Sequence, residues 1–302
     1  MRWYDWREIS RGEPIFPARF AYVAPRSIED AIALLSHYGT DARALAGGQS
    51  LIPLMKLRLA GPKYLVDLNR IGGLATIEET DGFLSIGALV READVEASAL
   101  LRSRYPAIAD TAAVVGDPLV RNLGTIGGNL AHGDPANDHP ATMLALGAEV
   151  IAQGPRGERV IPVADLFEGF FTTSLKPGEV LTRIRVPRPA SGCGSAYLKL
   201  ERKVGDLATA GVAAFVQLEG DVCRAAGIGL TNVGSLPIKA RKAEASLVGK
   251  RLDERAFADA ADLAAEEADP ASDLRGPVDY KRDMVRVLTR RALRRAVERA
   301  QA

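Results

Sequence analysis

Residues 123–138 read LGTIGGNLAHGDPAND, a run with four glycines, two aspartates and little that could act as a nucleophile. Glycine leaves the main chain open to a ligand, and consecutive N–H groups can form a concave nest for phosphate oxygens. Thr125 and Asn129 add a hydroxyl and a carboxamide to the same surroundings. A second stretch, ALAGGQSLIP at 44–53, supplies another pair, Gly47-Gly48, with Ser50 beside it. Two opposed nests suit two adjacent phosphates, as in a pyrophosphate. Each pair alone also reads as an ordinary tight turn. Neither fits G-x-G-x-x-G, and no G-x-x-x-x-G-K-[ST] occurs, so the expectation is a diphosphate cradle outside the Rossmann and P-loop folds.

Working outward, a helix is expected over SIEDAIALLSHYG, with Ser27 as N-cap, Asp30 in the capping-box position and Gly39 as the stop. The strand ARALAGG then leads into the first glycine pair, and Tyr64 to Leu68 forms another strand. Short strands follow in FLSIGALV, AEVIAQG and EVLTRIRVP, with one helical stretch over READVEASALLRSRYPAIADTAAVV and another over HPATMLALGA. PRPASGCG reads as a linker. Beyond it come three strands, SAYLKLERK, TAGVAAFVQLEG and CRAAGIGLTNVG, the last two joined by a hairpin at Gly220-Asp221. The rest is helical, and its last helix carries Lys281, Arg282, Arg286, Arg290, Arg291, Arg294, Arg295 and Arg299. That basic run reads as a solvated face or as a surface for an acidic partner.

The bulk numbers exclude several classes. With 302 residues, a formal net charge of +1, 47% hydrophobic and 25% charged residues, the chain is an ordinary globular one with no global charge argument for nucleic acid or membrane. The start, MRWYDWREIS, is expected to be neither signal peptide nor anchor, and no apolar run nears the roughly 20 residues of a membrane span. Cys193 and Cys223 are too few for an iron–sulfur cluster or a four-cysteine zinc site; they read as thiols in a cytoplasmic protein, with a disulfide as the alternative. His132 and His139 flank Asp134 and Asp138, but Pro135 and Pro140 break metal-ligand spacing, so no metal is expected and His132 is read as a hydrogen-bonder near the cofactor. No nucleophile elbow and no acid/base pair emerges, which suits a chain whose chemistry is carried by a cofactor.

Three motifs in order, ALAGGQSLIPLMKLRLAGPKYLVDL, RNLGTIGGNLAHGDPANDHPA and LKLERKVGDLATA, with GIGLTNVG and PASDLRGP after them, resemble the FAD-binding medium subunit of the molybdenum hydroxylases. Within that family the likeness runs in particular to the aerobic carbon monoxide dehydrogenases. The resemblance implies an α+β fold: two FAD-binding subdomains of the vanillyl-alcohol-oxidase (PCMH) type, 20–70 and 71–189, and a C-terminal domain over 190–302 with a three-stranded sheet and helices. Residues 1–19, with Trp3, Tyr4 and Trp6, would be an extension. By the same likeness Ala46, Gly47, Gly48, Gln49 and Ser50 form the first pyrophosphate loop, and Thr125, Ile126, Gly127, Gly128 and Asn129 the second. Asp138 would hydrogen-bond the cofactor near its ribityl chain, Leu207 would pack on the isoalloxazine ring, and Lys199 would lie on the adjoining strand. No residue would be catalytic.

The resemblance further implies a large molybdopterin-binding partner and a small partner with [2Fe–2S] clusters, in a dimer of heterotrimers. Electrons would pass from those clusters to FAD and on to an acceptor such as a quinone, with room for peripheral membrane association of the complex. Two departures stand out: Gln49, where carbon monoxide dehydrogenases typically have histidine, and Leu207, where many have tyrosine. They leave open the medium subunit of an N-heterocycle or aldehyde hydroxylase, a free-standing flavoprotein oxidoreductase, and a non-enzymatic interaction module.

Overall fold

The computed structural model describes residues 16–80 and 82–302; Trp3, Tyr4 and Trp6 lie outside the described residues. The first unit is a parallel three-stranded sheet, β1 (Ala21–Val23), β2 (Ala42–Leu45) and β3 (Tyr64–Asp67), in the order β1-β3-β2. Helix α1 (Ile28–Tyr38) covers it with Ala31, Ile32 and Leu35, and the Ser27 hydroxyl accepts from the Asp30 amide at 3.1 Å, as a capping residue does. Short helix α2 (Leu51–Lys56) follows the first glycine pair directly.

The second unit is an antiparallel five-stranded sheet in the order β4-β5-β10-β6-β7. Its strands are β4 (Ile77–Thr80), β5 (Phe83–Gly87), β6 (Glu149–Gly154), β7 (Gly157–Pro162) and β10 (Val180–Pro187), with a small hairpin, β8 (Phe167–Gly169) and β9 (Thr172–Thr173), between. Helices pack on this sheet around Leu84, Ile86, Leu101, Ile108, Ile126, Leu130 and Val150, all fully enclosed. The long helical stretch expected before the glycine run is instead three helices, α3 (Glu92–Ala97), α4 (Ala99–Arg104) and α5 (Pro106–Ala113). Ser98 caps α4 by accepting from the Leu101 amide, and Pro106 opens α5 as its first residue. Next come α6 (Pro118–Leu123), α7 (Ile126–His132) and α8 (His139–Ala145).

The third unit is an antiparallel sheet of β11 (Cys193–Leu200), β12 (Ala210–Glu219), β13 (Val222–Thr231) and a two-residue β14 (Ile238–Lys239). The sheet therefore has a fourth, short edge strand beyond the three expected. Gly220-Asp221 makes the anticipated two-residue turn, with Gly220 at φ +58° and Glu219 paired to Val222. Helices α9 (Arg241–Leu247), α10 (Glu254–Glu267) and α11 (Val278–Gln301) cover one face. On the other face α8 lies so near β13 that a Cβ at Gly227 would come 2.8 Å from the Ala145 carbonyl carbon, and one at Gly229 2.6 Å from that of Ala141.

Arg299, near the end of α11, joins the units: it donates to both Asp110 oxygens (2.6 and 3.0 Å) and to the Ser195 carbonyl (2.7 Å). The basic run on α11 is largely paired within the chain. Arg286 meets Asp262 and Asp283, Arg290 and Arg294 meet Glu254, and Lys281 is buried against Asp273. Cys193 and Cys223 are free thiols. No helix of the described residues is long and apolar enough to cross a membrane.

Candidate functional site

The two glycine segments, some 80 residues apart in sequence, meet. A Cβ on Gly47 would come 2.8 Å from the Gly124 Cα and would overlap the Leu123 carbonyl, so only glycine permits this approach. On the other side of the junction, a Cβ on Gly128 would lie 3.8 Å from that of Ala46. Gln49 reaches across with its side chain, placing Cγ 3.8 Å from where a Gly124 Cβ would be.

Arg91 and Asn69 bind this junction together. The Asn69 carboxamide donates to the Ala46 carbonyl at 2.9 Å and accepts from Arg91 at 2.6 Å, while Arg91 also donates to the Leu123 carbonyl. Among the described residues no carboxylate pairs with Arg91, so its charge remains available to an anion. Sequence reasoning missed both residues. The only local hint was polar side chains directly after an apolar strand, which is too common to single them out.

The two segments are not alike. After β2 the chain turns through Gly48 at φ +73°, and among the described residues the amides of Gly47, Gly48, Gln49 and Ser50 have no hydrogen-bond partner. The Ser50 hydroxyl makes no capping bond to α2. This is an open nest. The second segment differs from the first: Ile126–Asn129 form the first turn of α7 and their amides are engaged, while the Thr125 amide has no partner among the described residues. Ile126 bonds the Val90 carbonyl at 3.1 Å, Gly127 that of Ala88 at 3.0 Å and Asn129 that of Thr125 at 2.9 Å, while the Gly128 amide takes the Thr125 hydroxyl at 3.2 Å. Thr125 is thus a buried helix cap. Gly127 is glycine because a Cβ would sit 2.6 Å from the Ala88 Cα, and Ile126 is enclosed in the core. Asn129 differs: its Oδ1 is buried without a partner. Four open amides, a free hydroxyl, an arginine with no carboxylate partner among the described residues and an orphaned carboxamide oxygen fit a diphosphate-linked ligand. The phosphate oxygens would take the amide donors, and a ligand hydroxyl would take the acceptor.

Behind the second segment, Glu92 and His139 form a buried pair at 2.7 Å, linking the starts of α3 and α8. His132 packs on Phe171, and burial lowers its pKa.

Asp138 and Lys199, expected at the cofactor, are engaged with each other. Asp138 is 4% exposed and accepts from Tyr197 at 2.5 Å and from Lys199 at 3.1 Å. Burial pushes its carboxyl above the ordinary range against the pull of that lysine, and burial together with the Asp138 charge raises Tyr197 well above a normal phenol. Lys199 also donates to the carbonyls of Val114 (2.7 Å) and Asp206 (3.1 Å), so its three ammonium hydrogens have partners within the protein. The pair joins the C-terminal sheet to the second unit and supports the β11–β12 loop. Leu207 sits in that loop, 40% exposed. The loop abuts the start of α6, where a Cβ on Gly205 would lie 3.3 Å from the Gly116 backbone. The loop that carries Leu207 thus meets the chain just before α6, whose far end carries Leu123.

Residues 18–189 match the family model described as the FAD binding domain in molybdopterin dehydrogenase, and 195–296 match the CO dehydrogenase flavoprotein C-terminal domain. The carbon monoxide dehydrogenase medium chain of Afipia carboxidovorans is 47% identical over 95% of this chain and 99% of its own. A crystal structure of the Cu,Mo-CO dehydrogenase in a cyanide-inactivated form superposes with a TM-score of 0.92 at 47% identity, covering 94% of this chain and 99% of that one. Quinoline 2-oxidoreductase from Pseudomonas putida 86 gives 0.88 at 36% identity, over 95% and 99%.

Proposed function

The chain belongs to the family of FAD-binding oxidoreductase subunits of the molybdopterin dehydrogenases, and from that premise we propose that it is the electron-transfer subunit of an aerobic carbon monoxide dehydrogenase. The observation that carries the reading is the open run of amides from Gly47 to Ser50, at the one junction where both glycine segments meet.

In this reading Gly47, Gly48, Gln49 and Ser50 hold the diphosphate, with the Arg91 charge beside it. Ala46 and Asn69 set the loop, Asn129 takes a hydroxyl of the ligand, and Thr125, Ile126, Gly127 and Gly128 form the wall behind. Asp138 and Lys199 hold the loop that carries Leu207 toward the ring. Bound FAD supplies a carrier able to take electrons singly and deliver them in pairs; the chain binds, orients and shields it. The [2Fe–2S] clusters and molybdenum cofactor would belong to a small and a large partner, since two cysteines here are too few for a cluster. The assembly would be a cytoplasmic dimer of heterotrimers passing electrons to a quinone or other respiratory acceptor. Two free thiols suit a reducing compartment.

A medium subunit of an N-heterocycle hydroxylase is the second reading, favoured by Gln49 and Leu207 at the two positions that depart from the carbon monoxide pattern. Purification of the native complex tests both. Molybdenum, iron and FAD co-purifying with this chain, with carbon monoxide bleaching the flavin, is the expected result. A complex bleached only by a heterocycle selects the second reading, and a chain with flavin but no metal-bearing partner contradicts both.

A further inference from the structure

Leu207 stands in a loop tied down more firmly than a surface turn requires. Arg275, from the segment between α10 and α11, donates through Nη2 to Asp206 at 2.8 Å and through Nε to the Leu207 carbonyl at 3.3 Å. Asp206 in turn accepts from the Leu207 amide at 2.8 Å and from Arg202 at 3.0 Å. The Leu207 peptide is therefore gripped at both ends, its carbonyl by Arg275 and its amide by the carboxylate that Arg275 holds. Arg275 itself stands on a fixed base. Its amide donates to Asp273 at 2.8 Å, and Asp273 pairs at 2.8 Å with Lys281, which is buried on α11 and also holds the Ala271 carbonyl at 2.9 Å. Lys199, on β11, also holds the Asp206 carbonyl. Leucine has no polar atom with which to hold itself against a ligand, so its place depends on these backbone contacts.

We propose that Arg275 is a positioning residue that sets Leu207 at the mouth of the FAD site and thereby controls how far solvent reaches the ring. This rests on the reading that Leu207 faces the isoalloxazine. A guanidinium serves because its planar fork grips a carboxylate and a carbonyl together, which an ammonium cannot do in the same geometry.

The test uses the full chain loaded with FAD, in the wild type and in Arg275→Ala, Arg275→Lys and Leu207→Ala. Amide exchange over 202–208 and quenching of flavin fluorescence by neutral acrylamide are the two readouts, with far-UV circular dichroism as the check on folding. Arg275→Ala should speed exchange in the loop at least tenfold and raise the quenching constant at least twofold, with FAD affinity changed less than threefold. Arg275→Lys should fall between it and wild type, and Leu207→Ala should raise quenching while leaving loop exchange near wild type. Unchanged exchange in Arg275→Ala overturns the proposal. So does faster exchange without a rise in quenching when Leu207→Ala does raise it. If Leu207→Ala leaves quenching unchanged, the placement of Leu207 at the ring fails, and the role of Arg275 with it. Should Arg275→Ala misfold, Arg275→Lys and Asp206→Asn carry the same readouts and the same criteria.

Discussion

Gly47 packs against the backbone of Leu123 and Gly124, leaving no room for a side chain at 47, and this contact closes the two glycine segments on one another. It brings the end of β2 to the end of α6 and leaves the amides that follow Gly47 open for a ligand.

Gly47→Ala follows directly. The added methyl overlaps the Leu123 carbonyl and should cost about 1–3 kcal/mol of stability, the range for overpacking, while opening the junction and abolishing FAD retention. Gly61→Ala is the control, since nothing lies within 4 Å of a Cβ there. Flavin content and thermal unfolding of the two variants decide it; equal flavin in both would refute the junction.

Arg91→Ala removes the bridge between Asn69 and the Leu123 carbonyl along with the charge at the site. FAD binding should weaken about tenfold, roughly 1.4 kcal/mol, and the remaining affinity should respond less to added salt. A fluorescence titration measures both. A dissociation constant within twofold of wild type would remove Arg91 from the site.

Thr125→Ala should act on stability, since the hydroxyl caps α7. Loss of such a cap costs about 1 kcal/mol, and Thr125→Ser should restore it. Urea unfolding measures the difference; no change in the alanine variant would mean the cap contributes nothing.

Asp206 gives a pH dependence. The Arg275 side chain, aided by Arg202, holds its carboxyl down at about 2 from an ordinary 3.8, outweighing the upward push of desolvation. A carboxyl depressed in the folded state contributes stability that is fully present above its unfolded value and lost as pH falls through the folded one. The difference in melting temperature between wild type and Asp206→Asn should therefore be constant above about pH 4 and shrink between there and pH 2. A difference independent of pH across that window contradicts the assignment.

Local signals carried much of the fold. Ser27, Gly39 and the Gly220-Asp221 turn act where their chemistry placed them, because capping and hairpin geometry depend on a few adjacent residues. The helical stretch after Arg91 was legible as helix but not as three helices, since the Ser98 cap and the Pro106 start interrupt a pattern whose apolar spacing continues. At the site, the sequence located both glycine segments but not the difference between them. Gly127-Gly128 looks like a turn from composition, yet it is the start of α7, its glycines required by the neighbouring Ala88 backbone and the Thr125 hydroxyl. Asn69, Arg91 and the Glu92–His139 pair act across 22 to 47 residues, and no local pattern encodes such distances.

The asymmetry between the segments is open to one measurement: hydrogen exchange of the full chain with and without FAD. Amides 47–50 should exchange freely in the empty protein and become protected on adding FAD, while amides 126–129 should be protected in both states. Free exchange at 47–50 with FAD bound, or protection at 126–129 that appears only with FAD, would contradict the account.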